Sequence, residues 1–400
     1  WWIIDYNRQS LDGVVREGLY DRIEAIFKAF GWKVVTLKYG ALQRAAFAEP
    51  GGERLKAWID TCPNDLYSAL MFRGGAAWRE RLSDEIGDQG DVSALLELRS
   101  DEQLAALMAN LGGHCVESLL DQFENAGTDE PTVFINYTVK GWGTPLAGHK
   151  DNHAGQMTSA QIEQLRAAHK IRDGHEWDVF EGLDHADALA DFVRNVPFNT
   201  AEPRRLTAPA VPTIGPQYIG TGATSTQAAF GRILDAIAKT DSEMARRIVS
   251  TSPDVTVSTG LGSWVNRRNL FARKETADLF QKEAIPSTQK WRFTPDGQHM
   301  ELGIAEMNLF LMLGAAGLSH SLFGERLLPI GTLYDPFISR GLDALNYACY
   351  QDARFLLVGT PSGVSLAGEG GAHQSIASPR IGMSQDGLAS FEPAFADELA

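Results

Sequence analysis

Four hundred residues exceed what one ordinary hydrophobic core organises, so length points to two or three domains. A hydrophobic fraction of 44% and a charged fraction of 22% are those of a globular chain. A net charge of −15, without a basic stripe, argues against a nucleic-acid partner, and no apolar run reaches the roughly 20 residues that span a bilayer.

The chain opens on Trp1-Trp2-Ile3-Ile4-Asp5, an apolar strand that breaks into a polar loop at Asn7-Arg8-Gln9. It starts without an initiator methionine and closes on FADELA, which reads as a helix, so the sequence is expected to be the middle of a longer polypeptide. The pattern predicts a helix over about Leu19–Phe30, a strand at Trp32–Leu37, and then helices with short polar joints. Ser100-Asp101-Glu102-Gln103 before LAALMANLGG is a capping box, with the two glycines expected to close that helix. A helix from about Val116 to Ala126 leads to the strand Thr132–Tyr137. Apolar strands separated by helices of ten or more residues imply an α/β fold with mostly parallel sheets covered by helices on both faces. Cys62, Cys115 and Cys349 are unpatterned and suit a reducing cytoplasm better than a disulfide framework or a zinc site.

After that strand comes a long, polar, glycine-containing loop, Val139–Thr158, and a capped helix from about Ser159. Such a loop in a compact domain is commonly functional or disordered. Five prolines between Val196 and Thr224 then mark a semi-rigid crossing between domains. The reading is therefore residues 1–195 as one domain, 196–224 as a linker and 225–400 as a second domain. In the second domain the pattern predicts a helix at about Thr226–Ala238, a strand at Asp254–Ser258 and a buried helix opened by Gly303 and running to Leu318. The strand Leu327–Leu333, a helix to Tyr350 and the strand Arg354–Gly359 complete it.

Glu306 sits near the start of that apolar helix. A carboxylate in such a run is costly to bury without a partner, so it is paired, chemically employed or turned to solvent. PIGTLYDPF (Pro329–Phe337) follows one strand later, with Tyr334 and Phe337 three apart, a spacing equally compatible with core packing. GEGGAHQS (Gly368–Ser375) follows the next strand, and its glycines let backbone approach a ligand closely. Earlier in the chain, His149 and His153 lie in the long loop, where solvated histidines are ordinary.

Glutamate, paired aromatics and a histidine after glycines, in that order, resemble the aminopyrimidine half of a thiamine diphosphate site. The family is the transketolase-like enzymes, and within it the homodimeric decarboxylating component of pyruvate dehydrogenase. The resemblance implies two thiamine diphosphate-binding-fold domains, the first the later part of a diphosphate-binding domain and the second a pyrimidine-binding domain. It implies that Glu306 hydrogen-bonds the cofactor's pyrimidine ring nitrogen, that Tyr334 and Phe337 stack on that ring, and that Ile304 props the cofactor in its bent shape. Asn7 and Gln9 match the end of the family's Mg²⁺-binding motif, which implies the asparagine side chain and a backbone carbonyl at Gln9 as ligands, with the motif's Gly-Asp-Gly half expected before residue 1. His153 matches the substrate-side loop histidine, and Glu369 and His373 match the family's GEG-x-x-H form.

The implied activity is oxidative decarboxylation of a small 2-oxo acid, pyruvate or a close homologue, with thiamine diphosphate and Mg²⁺. A cytoplasmic homodimer is implied, with a lipoyl acyltransferase as the further partner. Two alternatives stand beside it: a transketolase moving a two-carbon ketol unit between sugar phosphates, and a non-catalytic homologue. Two departures bear on substrate and docking. STGLGSW (Ser258–Trp264) lacks the family's carboxylates, and Ala154-Gly155-Gln156-Met157 replaces lysines after the loop histidine. Against the ketol alternative, Ser225–Phe230 offers no cation for a sugar phosphate until Arg232.

Overall fold

In the computed structural model, which describes residues 1–11, 13–200, 208–216, 220–365 and 370–400, the chain divides into two compact units, Trp1–Arg194 and Asn195–Ala400.

The first unit is built on three parallel strands, β1 (Trp2–Tyr6), β2 (Lys33–Leu37) and β3 (Thr132–Tyr137), in the order β1-β3-β2. β3 is buried along its whole length, as a run of β-branched and aromatic residues between two partners should be. Helix Leu19–Ala29 links β1 to β2, and a run of helices between Ala41 and Glu124 separates β2 from β3. These helices pack their own apolar stripe around Trp78, Tyr67, Leu82 and Leu104. The capping box forms as read: Ser100 Oγ accepts from the Gln103 N–H and Gln103 Oε1 accepts from the Ser100 N–H. The glycines after it do something else. The helix closes at Asn110, and Gly112 lies so close to β2 that a Cβ would stand 2.4 Å from the Leu37 carbonyl. A bare backbone is needed there for packing rather than for capping.

The second unit carries six parallel strands in the order β6-β5-β7-β4-β8-β9. They are β4 (Ile248–Ser252), β5 (Leu270–Phe271), β6 (Phe293–Thr294), β7 (His299–Glu301), β8 (Leu328–Leu333) and β9 (Leu356–Gly359). Helix Thr226–Ala238 precedes the sheet, with Ser225 Oγ accepting from the Ala228 N–H at its start. The strand expected at Asp254–Ser258 lies instead at Ile248–Ser252. Pro253 brings no N–H, Asp254 adopts a left-handed φ of 62°, and the Thr259 N–H bonds back to the Val255 carbonyl, so that stretch is a turn. The true strand was hidden because Ser250, Thr251 and Ser252 are buried by hydrogen bonding, not by apolar character.

Helix Glu306–Gly317 begins three residues later than expected, because Gly303 takes a left-handed φ of 67° and ends any helical run there. Its buried face, Leu309, Phe310 and Leu313, packs with Leu333, Ile338 and Leu345. The proline-rich stretch contains a short helix, Pro197–Thr200, and residues 208–216 have no regular element. The chain closes on a 3-10 turn, Ala396–Leu399.

Candidate functional site

In the second unit every element that carries a singled-out side chain leaves the sheet at the carboxyl end of a strand. Ile304 and Glu306 follow β7, Tyr334 and Phe337 follow β8, and His373 follows β9. The sheet order places β7 and β8 on either side of β4, so the chain changes direction there. Open α/β sheets bind ligands at that kind of place.

Glu306 is the first residue of its helix and only 7% exposed, so the solvent-facing reading does not hold. The position itself favours a carboxylate, since the unpaired N–H groups of a first helical turn carry partial positive charge. Its partner is Arg340, whose Nη1 donates to Glu306 Oε1 at 2.7 Å. Arg340 lies over the Phe337 ring, 3.7 Å from guanidinium carbon to ring centroid. Tyr334, Phe337 and His373 form a triangle of rings with centroids 5.3–6.0 Å apart. The Tyr334 hydroxyl donates to Ser258 Oγ at 2.8 Å, bringing in the turn after β4. The structure thus brings Glu306, Tyr334, Phe337 and His373 into one connected cluster. Ile304 is 78% exposed, and Glu369 lies outside the described residues.

Two members were missed from sequence. Arg340 stands three residues beyond Phe337, and that spacing on a helical turn was the available signal. Asp335 is buried, its carboxylate accepts from the Gly363 N–H at 3.1 Å, and its carbonyl accepts from Ser378 Oγ at 3.0 Å. It staples the segment after β9 to the segment after β8. Nothing in the local pattern marks it.

A polar relay fixes the approach to Glu306. Trp264 Nε1–H donates to Ser250 Oγ at 2.9 Å, and Ser250 lies 2.8 Å from His299 Nδ1. Thr256 Oγ1 lies 2.9 Å from His299 Nε2 and donates to Glu301 Oε2 at 2.8 Å. Read as one chain, His299 carries its proton on Nε2: Ser250 accepts from Trp264 and donates to Nδ1, while Thr256 accepts from Nε2–H and from the Ser252 hydroxyl at 2.7 Å and donates to Glu301. Glu301 Oε1 in turn accepts the N–H groups of Asp254, Leu302 and Gly303. Burial would raise the Glu301 carboxyl, but His299, Thr256 and the Asp254 N–H outweigh it and hold the carboxyl at about 2. The loop that carries Ile304 into Glu306 is therefore gripped at its root.

Asn7 and Gln9 follow β1 directly, and the Gln9 N–H donates to Asn7 Oδ1 at 2.9 Å. Asn7 Nδ2 donates to Asp5 Oδ2 at 3.2 Å and Gln9 Nε2 to the Gly148 carbonyl at 3.1 Å. Gln9 Oε1 is buried with no hydrogen-bond donor, an oxygen left over for a hard cation. Between them Arg8 is buried, and burial pushes its guanidinium below the ordinary range. It lies over Tyr67 at 4.5 Å, and one Nη donates to the Thr138 carbonyl. The loop after β3 holds both other histidines. His149 packs edge-on against Phe72, and its Nδ1 accepts from the Asp151 N–H; His153 is exposed. At the loop's root, His114 stacks on Trp142 with centroids 4.5 Å apart, and its Nε2 accepts the Val139 N–H at 2.8 Å.

With this geometry in hand, similarity to known proteins is informative. Residues 215–400 match the family described as pyruvate dehydrogenase E1 component middle domain. The whole chain is 25% identical to the pyruvate dehydrogenase E1 component of Pseudomonas aeruginosa over 425 residues, covering 47% of that protein. It is 25% identical to that of Mycobacterium tuberculosis over 433 residues, covering 45% of it. The chain spans about half the length of the relatives it matches. Among solved structures, transketolase from Campylobacter jejuni aligns with a TM-score of 0.54 at 14% identity, over 96% of this chain and 46% of that one. Transketolase from Pichia stipitis, in complex with sedoheptulose 7-phosphate, aligns at 0.53 and 15% identity, over 96% of this chain and 46% of that one. At such identities the transketolase likeness shows the fold alone.

Proposed function

We infer that this chain, a relative of the pyruvate dehydrogenase E1 components with the transketolase-like fold, is part of an enzyme that decarboxylates a 2-oxo acid with thiamine diphosphate and Mg²⁺. The observation that carries this reading is the buried Glu306 carboxylate joined through Arg340 to the Phe337, Tyr334 and His373 rings. The whole cluster lies within the matched segment.

The residues present fit the cofactor. A planar, nitrogen-bearing ring needs an aromatic stack and a carboxylate acceptor, and Phe337, Tyr334 and Glu306 offer both. Ile304, exposed beside Glu306, is the apolar prop. Asn7 and the unpartnered Gln9 Oε1 are neutral oxygens of the kind Mg²⁺ takes beside phosphates. When bound, thiamine diphosphate supplies the electron sink for the decarboxylation. The chain's own residues bind and orient. Glu306 accepts a hydrogen bond from the ring nitrogen and holds the proton balance there. His153 in the first unit and His373 in the second are each proposed, from the family resemblance, as imidazole donors to a substrate oxygen; Glu369, proposed on the same ground, lies outside the described residues.

Pyruvate or a close homologue is the substrate this reading favours. No lysine or arginine occurs from Ser225 to Gly231, where a phosphate-bearing sugar would need a cation. The active form is proposed to be a cytoplasmic homodimer that passes its acyl group to a lipoyl acyltransferase. Assaying the full-length protein with pyruvate and an artificial electron acceptor, beside ketol transfer from xylulose 5-phosphate to ribose 5-phosphate, tests the reading. Decarboxylation with negligible ketol transfer is expected, and robust ketol transfer without decarboxylation would overturn the substrate.

A further inference from the structure

Glu306 is held from one side only. Arg340 Nη1 takes Oε1 at 2.7 Å, and no donor to Oε2 occurs among the described residues. A carboxylate on a flexible stem has a broad torsion at its last bond. One charge-assisted bond from a planar guanidinium narrows it, provided the guanidinium is itself fixed. Here it is fixed twice. Its plane rests on the Phe337 ring at 3.7 Å. The backbone that carries it is pinned at Gly341, where a Cβ would stand 2.0 Å from Phe310 Cδ2. Phe310 lies one helical turn beyond Glu306 on the same helix. The segment bearing Arg340 and the helix bearing Glu306 are thus keyed to one another beneath the ion pair.

We propose that Arg340 is a positioning residue: it occupies Oε1 of Glu306 so that Oε2 alone meets the cofactor's pyrimidine nitrogen. This rests on the thiamine diphosphate reading above. An ion pair serving stability alone would predict something different. The Glu306 side chain is only 9% exposed and that of Arg340 51%. Truncating the arginine therefore leaves a mostly buried carboxylate unpaired and lowers stability, whereas a lysine keeps the charge and loses only the planar, forked contact.

The test uses the full-length protein with Arg340→Ala and Arg340→Lys. Three quantities are measured: the thermal midpoint without cofactor, the affinity for thiamine diphosphate with Mg²⁺ by calorimetry, and deuterium exchange at the bound cofactor's C2. We expect a lowered midpoint for Arg340→Ala, which leaves the buried carboxylate unpaired, and a midpoint close to wild type for Arg340→Lys, which keeps the charge. Cofactor affinity and C2 exchange should fall together by about 100-fold, the scale on which misplacement by an ångström is felt. Added guanidinium ion should restore much of the loss in Arg340→Ala, while sodium chloride at equal ionic strength should not. In affinity and exchange Arg340→Lys should fall as Arg340→Ala does, because an ammonium cannot stack as a plane on Phe337. Wild-type cofactor affinity and C2 exchange in either variant, or a loss of them that guanidinium fails to restore, would overturn the assignment. Failure of the wild-type protein itself to bind thiamine diphosphate would instead overturn the functional reading, and the assignment with it.

Discussion

The ring of Phe310 occupies the space that a side chain on Gly341 would need: a Cβ there would lie 2.0 Å from Cδ2 and 2.4 Å from Cε2. Gly341 has an ordinary φ of −122°, so the glycine is there for contact and not for a turn. Phe310 is fully buried and cannot swing into solvent to make room. Gly341→Ala should therefore cost about 1–3 kcal/mol of stability, the usual penalty of overpacking a core, measured by denaturant unfolding. Unchanged stability would mean that this contact yields freely and does not key the two elements together.

How much of this was legible beforehand depends on what kind of force buries each residue. Apolar runs declared themselves: the strand Thr132–Tyr137 and the helix Thr226–Ala238 lie where periodicity put them. Ile248–Ser252 did not, because its serines and threonine are buried through a hydrogen-bonded relay that apolar patterning cannot register. Glu306 was legible as a carboxylate in an apolar run. Its partner was not, since Arg340 is 34 positions away in the chain and meets it only in the folded packing of the segment after β8 on the Glu306 helix.

The Glu301 relay predicts a pH signature. The folded carboxyl sits at about 2 and the unfolded one near the ordinary ~4.3 for glutamate. A group depressed in the folded state contributes its stability above the unfolded value and loses it as pH falls toward the folded one. Glu301→Gln should therefore be destabilised at pH 7, with the gap to wild type narrowing between about pH 5 and pH 2. Thermal melts across that range measure it. A gap independent of pH would show that the lost contacts, rather than the charge, matter.

The His114–Trp142 stack predicts a loss of stability in a separate window, nearer neutrality. Burial pushes the His114 imidazole down, against the opposing pull of Asp5, and its Nε2 must stay unprotonated to accept the Val139 N–H. The unfolded chain gains a proton at about pH 6.5 while the folded one resists. Stability should thus fall as pH drops through that value, and less so in His114→Gln, whose side chain does not titrate. Melts of the two proteins from about pH 7.5 down to about pH 5, a range that brackets the unfolded histidine's titration, give the comparison. Parallel curves would remove His114 as the cause.

The central claim is that Glu306 governs a bound thiamine diphosphate, and one measurement addresses it directly. Glu306→Gln in the full-length protein keeps the shape of the side chain, so the fold should be retained. Deuterium exchange at the cofactor's C2, followed by NMR, should slow by at least about 100-fold, because a neutral amide cannot hold the proton at the ring nitrogen. Exchange at the wild-type rate, with the cofactor bound, would contradict the account.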